Sequence, residues 1–226
     1  MEARQDLPVP DRGPHVTVMA AYRDSIPRAP KRLTDREVTL LLKVTGSHVD
    51  GFRDHVLYGL TFSTGLRQHE SLAFDVGDVR GSDGRIRRRV RLRVWKGQQD
   101  DEVEDDRQEV FLNNTIRAKL ARLLDNRRRD EGPLADDEPL FVSSRGVRLS
   151  ARRARSAFAE WQVKAGFERH INFHAMRHTA TDGVYRRTKD IRLAQRFARH
   201  ESLHSTTIYT HPSDDDLERA VEGQPA

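Results

Sequence analysis

Between Arg169 and His211 the sequence gathers side chains that suit a phosphodiester: one guanidinium from Arg177, imidazoles from His174 and His200, and the phenol of Tyr209. His174 and Arg177 are three residues apart, so in a helical segment they share one face and can reach one target. His200 follows on a second helix-like segment, and Tyr209 comes nine residues later at the end of Ser205-Thr206-Thr207-Ile208-Tyr209. A metal reading fails on its ligand set, because His174 and His178 are four apart but no third donor stands at helical spacing. Tyr185, on the same predicted helix as Arg177, reads as a packing residue.

Two earlier stretches could add charge. Arg67 lies in TGLRQHE, with Glu70 three positions on and on the same helical face. Taken alone, this pair reads as a surface salt bridge worth under about 1 kcal/mol. Lys96 lies in Trp95-Lys96-Gly97 at the end of a predicted strand, and an isolated turn lysine is ordinarily inert.

The elements that must position these groups follow from periodicity. Thr34 with Glu37 forms a capping box ahead of Val38, Leu40, Leu41 and Leu42. Phe52, Val56, Leu57 and Leu60 stand at helical spacing, and Ser63-Thr64-Gly65 closes that helix just before Arg67. Residues 76 to 112 read as strands: Val79-Arg80 and Ile86 flank a Gly81-Ser82-Asp83-Gly84 turn, and Val90, Leu92 and Val94 alternate with Arg89, Arg91 and Arg93. The acidic loop from Asp100 to Asp106 then returns the chain through Gln108 to Leu112.

Asn113 or Asn114 caps the next helix, whose buried stripe is Ile116, Leu120, Leu123 and Leu124 and which ends in Arg127-Arg128-Arg129. Pro139 to Val142 is a short buried extended piece. Ser150 caps a helix with Ala154, Phe158, Trp161 and Ala165 inward and Arg152, Arg153 and Arg155 outward. The outward arginines, like Arg89, Arg91 and Arg93, are candidate DNA contacts. Their bland alternative is an ordinary solvated face.

Composition limits the rest. The 226 residues allow one ordinary domain, or one domain plus an extension. Net charge is +5 and the isoelectric point about 9.8, with arginine far outnumbering lysine, a balance that favours a polyanionic partner such as nucleic acid. Codon bias towards arginine is the competing cause. There is no cysteine, which removes disulfides, thiolate metal sites and cysteine nucleophiles. With no apolar run near 18 residues and no signal-peptide pattern, a cytoplasmic protein away from membranes is expected. Residues 1 to 31, with Pro8, Pro10, Pro14, Pro27 and Pro30, read as a linker or arm with a short helix around Val16 to Arg23.

In their order along the chain, TGLRQHE, the strand-turn lysine of WKG, HAMRH at His174 to His178, ARHES at Ala198 to Ser202 and STTIYTH ending in His211 resemble the motifs of the tyrosine recombinase, or phage integrase, family. Each box alone is weak; all of them in sequence are specific, and they cover Leu33 to His211. The resemblance implies an α+β fold, mainly helical with a small antiparallel sheet carrying Lys96. It implies a catalytic domain over residues 32 to 211 and a tail over 212 to 226 in which Asp214 to Val221 could form a docking helix.

The resemblance also implies roles. Tyr209 would attack the scissile phosphorus to leave a 3′-phosphotyrosyl link, and since a phenol starts with a pKa of about 10 it needs a base and cationic surroundings. Arg67 and Arg177 would hold the two non-bridging oxygens, His174 would act as general acid and base towards the tyrosine, and His200 would bond the phosphate. Lys96 would protonate the departing 5′-oxygen, and Glu70 would orient Arg67 or a neighbouring histidine. His178 would be structural, with His204 and His211 supporting or incidental. Neither metal nor cofactor is implied; double-stranded DNA and self-association on it, tetrameric in the family, are.

Most members of that family carry a further N-terminal helical domain that completes a clamp on DNA, for which residues 1 to 31 are too short. A catalytic-domain-only member or a piece of a longer protein is therefore expected. Beside a site-specific recombinase stand two alternatives: an accessory DNA-binding protein that keeps the fold without turnover, and a type IB topoisomerase sharing the tyrosine chemistry.

Overall fold

The chain turns a sharp corner at Gly65, where one helix stops and the next begins just after Arg67. A computed structural model describes residues 32–93 and 109–200. The expected helix near Val16, the strand end with Val94 and Lys96, the acidic loop, His204, Tyr209, His211 and the tail all lie outside the described residues.

Helix α1 (Asp35–Ser47) starts as its sequence predicts: Thr34 Oγ1 accepts from the Glu37 N–H at 3.2 Å while the Glu37 carboxylate accepts from the Thr34 N–H at 2.7 Å. Helix α2 (Phe52–Thr64) stops at Gly65, whose left-handed φ of 63° a side chain would resist. Space excludes one there as well, since an added Cβ would stand 2.7 Å from the Phe197 ring. Helix α3 (Gln68–Ala73) begins immediately after this corner.

Val79-Arg80 is not a strand. Val76–Val79 forms a single helical turn, α4, because the Asp78 carboxylate accepts from the Asp75 N–H at 2.7 Å and starts a turn that one valine cannot outweigh. All that remains of the expected hairpin is one antiparallel bridge, Arg80 to Ile86, around the glycine-bounded turn. The sheet proper pairs β1 (Arg89–Arg91) with β2 (Glu109–Phe111) antiparallel, Val90 opposite Val110. Val90 and Leu92 are buried and Arg89, Arg91 and Arg93 exposed, which is the predicted alternation.

Asn113, not Asn114, caps α5 (Asn114–Glu131), its Oδ1 accepting from the Ile116 N–H at 2.9 Å. The basic run at its end is not a uniform charged face: Arg127 is buried and donates to Glu131, Glu138 and the Pro139 carbonyl. Pro139 to Val142 is extended and buried at Leu140 and Phe141, held by single bridges at each end. Ser150 caps α6 (Ala151–Lys164), which buries Ala154, Phe158 and Trp161 as its stripe requires. Helices α7 (Ala175–Thr188) and α8 (Ile191–Ala198) follow.

The core runs between α2, α5, α6 and α7. Tyr58, Phe158 and Phe173 form a triangle of edge-to-face rings with centroids 5.4 to 6.0 Å apart, so α2, α6 and the segment entering α7 are locked together. Because Phe173 directly precedes His174, this packing fixes where α7 begins. Small buried residues along α7, among them Ala175, Thr179 and Thr181, let α2 and α8 approach it closely. The resulting architecture is the expected one, mainly helical with a small antiparallel sheet. Among the described residues no helix is long and apolar enough to cross a membrane.

Candidate active site

Arg67 caps α3 at the corner that Gly65 creates. Its N–H and its guanidinium both donate to Glu70, at 2.7 and 2.8 Å, so one carboxylate satisfies a helix N-terminus and aims a side chain. The pair is not the surface salt bridge its spacing alone implies. Glu70 is 1% exposed, because the corner packs beneath α7 and α8 and takes the carboxylate inside.

Arg177 approaches from α7 and is 2% exposed. Its Nη1 donates to the Gly65 carbonyl at 2.6 Å and stands 3.9 Å from Glu70, while its Nη2 donates to the Ala198 carbonyl at the end of α8. One guanidinium therefore ties together the corner, α7 and α8. His174 is the residue before α7, open to solvent on one side, with its ring 4.6 Å from that of His178 in an edge-to-face arrangement. His200 lies just past α8 rather than on it, where its N–H donates to the Gln195 carbonyl at 3.1 Å and its own carbonyl accepts from the Gln195 side chain.

The charges shape each other. Burial lowers the His174 pKa, and Arg177 and Arg67 lower it further. His200 is brought down to about 4 by burial first and then by Arg177, Arg67, His178 and Arg199. His178 falls to about 4 through burial, His174 and Arg177. These shifts favour the neutral imidazole, the form in which one ring nitrogen is a donor and the other an acceptor. Burial pushes the Glu70 carboxyl up, but Arg199 and the bonds from Arg67 outweigh it and hold the group ionised.

Sequence reasoning missed Arg199. It follows α8 in the left-handed region, φ 51°, with its side chain buried and its Nη2 donating to Glu70 at 2.9 Å. The structure ends α8 at Ala198 and leaves Arg199 in the position where glycine or asparagine is the ordinary choice, a boundary that the sequence reading, with His200 on the helix-like segment, did not draw. One carboxylate facing three guanidiniums leaves an excess of positive charge beside neutral imidazoles. Such a grouping of charge and imidazole suits a phosphodiester and a proton transfer beside it. Among the described residues no three histidine or acidic side chains converge as a metal-ligand set.

The structure thus brings Arg67, Glu70, His174, Arg177 and His200 together, while Lys96 and Tyr209 lie outside the described residues. None of the six arginines considered for DNA contact pairs with the Glu70 carboxylate. Arg155 donates to Gln68 at 3.2 Å, beside Arg67, and Arg153 pairs with Glu160 at 2.7 Å, while Arg152 is exposed. On the sheet, Arg89 stacks over Phe111 and lies 3.8 Å from Glu109, and Arg91 is exposed. Arg93 is held by Asp75 and Asp78 at 2.8 and 2.5 Å.

The model of the phage integrase family matches residues 31–216. Tyrosine recombinase XerC of Vibrio cholerae serotype O1 (strain O395) is 30% identical over 184 residues, covering 80% of this chain and 54% of the relative. The chain spans about half the length of the curated relatives it matches. Among solved structures, the XerA recombinase superposes with a TM-score of 0.67 at 27% identity, covering 88% of this chain and 67% of that one. The XerH site-specific recombinase, in a post-cleavage complex with its palindromic difH substrate, superposes at 0.65 and 23% identity over 87% of this chain and 54% of that one, a likeness of fold alone.

Proposed function

Because the chain belongs to the phage integrase family, we propose that it is a site-specific DNA recombinase that cuts and rejoins strands through a 3′-phosphotyrosyl intermediate. The observation that carries this reading is the convergence of Arg67 and Arg177, 110 positions apart in the sequence, on one buried carboxylate. Two guanidiniums fixed in this way fit the two non-bridging oxygens of a single phosphate. Arg67 is the more accessible of the two, and Arg177 contributes its charge from the buried floor.

In this reading the Tyr209 oxygen attacks phosphorus as the bond to the 5′-oxygen breaks. The phenol proton passes to His174, which is neutral near pH 7 and able to accept it, and Lys96 supplies the proton that the leaving 5′-oxygen requires. His200 donates a ring N–H to a phosphate oxygen. A 5′-hydroxyl from another strand then attacks the phosphotyrosine, restoring the phenol and joining the strands. Residues 32 to 211 form the catalytic unit, acting in the cytoplasm on double-stranded DNA as a self-associating protein, with exposed arginines such as Arg152 and Arg155 along the phosphate backbone. The names of the relatives favour strand exchange over the accessory-protein and topoisomerase readings.

The test is covalent capture. Incubated with a pool of nicked duplexes of randomised core sequence, the chain should retain a fraction of the DNA through denaturation, and sequencing that fraction gives the target. Tyr209→Phe should retain none. No captured DNA with the unaltered chain would overturn the reading.

A further inference from the structure

We propose that Arg199 is a positioning residue of this site: by sharing the Glu70 carboxylate with Arg67 it fixes the Arg67 guanidinium and pins the segment leading from α8 into His200 onto the corner between α2 and α3. The inference rests on the proposed recombinase reading and deepens it.

The backbone gives the first argument. Arg199 and Lys189 are the two described non-glycine residues with positive φ, at 51° and 53°. A side chain makes that conformation costly, and glycine would take it freely. Lys189 is exposed, whereas the Arg199 side chain is only 7% exposed. What offsets the backbone cost at Arg199 therefore lies in the interior.

The carboxylate gives the second. Glu70 Oε1 accepts from the Arg67 guanidinium at 2.8 Å, and Oε2 accepts from the Arg67 N–H at 2.7 Å and from Arg199 at 2.9 Å. With both oxygens engaged, the carboxylate is held in one orientation, and Arg67 inherits that orientation. The two bonds from Arg67 come from the helix end that the carboxylate itself belongs to, so Arg199 is its closest anchor from another element, and removing Arg199 leaves only Arg177, at 3.9 Å, to hold the Glu70–Arg67 unit from outside. Arg199 also reaches the Thr64 carbonyl at 3.4 Å, on the same corner, and the Phe197 ring lies against Gly65. The stretch carrying His200 thus docks on the corner through apolar contact and through charge, and Arg199 supplies the charge.

The experiment uses the full chain and a nicked duplex whose sequence the unaltered protein has selected by covalent capture. Affinity is measured in the Tyr209→Phe background, and the rate of adduct formation in single turnovers at saturating protein. Arg199→Gly, which suits the left-handed backbone, should slow adduct formation about 10- to 100-fold while changing affinity less than about 3-fold, since misaimed charge acts on the transition state. Arg199→Lys should recover most of the rate. In a Glu70→Gln background, Arg199→Gly should cost less than about twofold more, because both changes remove one interaction.

Arg199→Gln, which keeps the stem and loses the charge, decides the matter if the glycine variant does not fold, and the same slowing is expected. Unchanged rates in the folded variants, a loss confined to affinity, or full multiplication of the two single effects would each overturn the role of Arg199. If the unaltered chain captures no DNA, the recombinase reading fails first and this inference falls with it.

Discussion

Arg67 and Glu70 form a closed unit, in which the backbone N–H and the guanidinium of one residue both donate to the buried carboxylate of the other, three positions along the chain. The carboxylate starts helix α3, aims Arg67 and neutralises part of the charge around it. Glu70→Gln keeps an oxygen for the helix N-terminus but leaves buried guanidiniums uncompensated. Breaking such a pair from one side costs about 3 to 5 kcal/mol. Urea unfolding should show a loss of that size with an unchanged denaturant slope, whereas a loss below about 1 kcal/mol would mean that solvent already screens the pair.

Gly65→Ala tests the corner itself. The left-handed φ and the Phe197 ring 2.7 Å from the new methyl act together, and a loss of about 2 to 4 kcal/mol is expected from backbone strain plus overpacking. Adding Phe197→Ala should relieve the steric part only. The double variant should then be more stable than the sum of its single changes predicts, by about 1 kcal/mol or more. Strict additivity in thermal or urea unfolding would show that the ring moves aside freely.

Stability should fall on the acid side in two stages. His178 and His200 have folded pKa values of about 4 against an ordinary 6.5, so between these limits the unfolded chain binds more protons than the folded one. Their contribution is complete above pH 6.5 and is lost as the pH falls towards 4. Glu37, held at about 2 by Arg169 and the α1 cap, contributes above its ordinary 4.5 and loses that contribution as the pH falls towards 2. Urea midpoints measured from pH 7 to 3 should therefore decline from pH 6.5 downward, and His178→Asn should make the upper stage shallower. An unaltered upper stage in that variant would contradict the assignment.

The arginines should divide by their partners. Arg93 is held by Asp75 and Asp78, so Arg93→Ala should lower stability and barely change how DNA binding depends on salt. Arg152 is exposed on α6, and Arg152→Ala should reduce the slope of log affinity against log salt by about 1. Binding titrations at several salt concentrations separate the two, and equal slopes for both variants would remove Arg152 from the contact surface.

Much of this was legible in the residues. Thr34 with Glu37, Gly65, Ser150 and the apolar stripes of α5 and α6 act locally, and local signals survive into the fold. Val79 failed because two aspartates made a turn that strand propensity does not register. The burial of Glu70 and Arg127 could not be read, since it depends on which helices cover them, and spacing says only that each has a partner of opposite charge within one helical turn. Arg199 was hidden for the opposite reason. Its sequence neighbour His200 offered the more familiar chemistry, while its own partner lies 129 positions away.

Delivery of a phenol from the C-terminal stretch to a phosphate held by Arg67 and Arg177 can be read from the covalent product itself. The captured DNA adduct is digested with protease and nuclease, and the peptide that retains a nucleotide is sequenced by mass spectrometry. A 3′-nucleotide on the Tyr209 oxygen is expected, with the yield collapsing in Arg67→Ala and Arg177→Ala. A nucleotide linked to any other residue, or an undiminished yield in both arginine variants, would contradict that delivery.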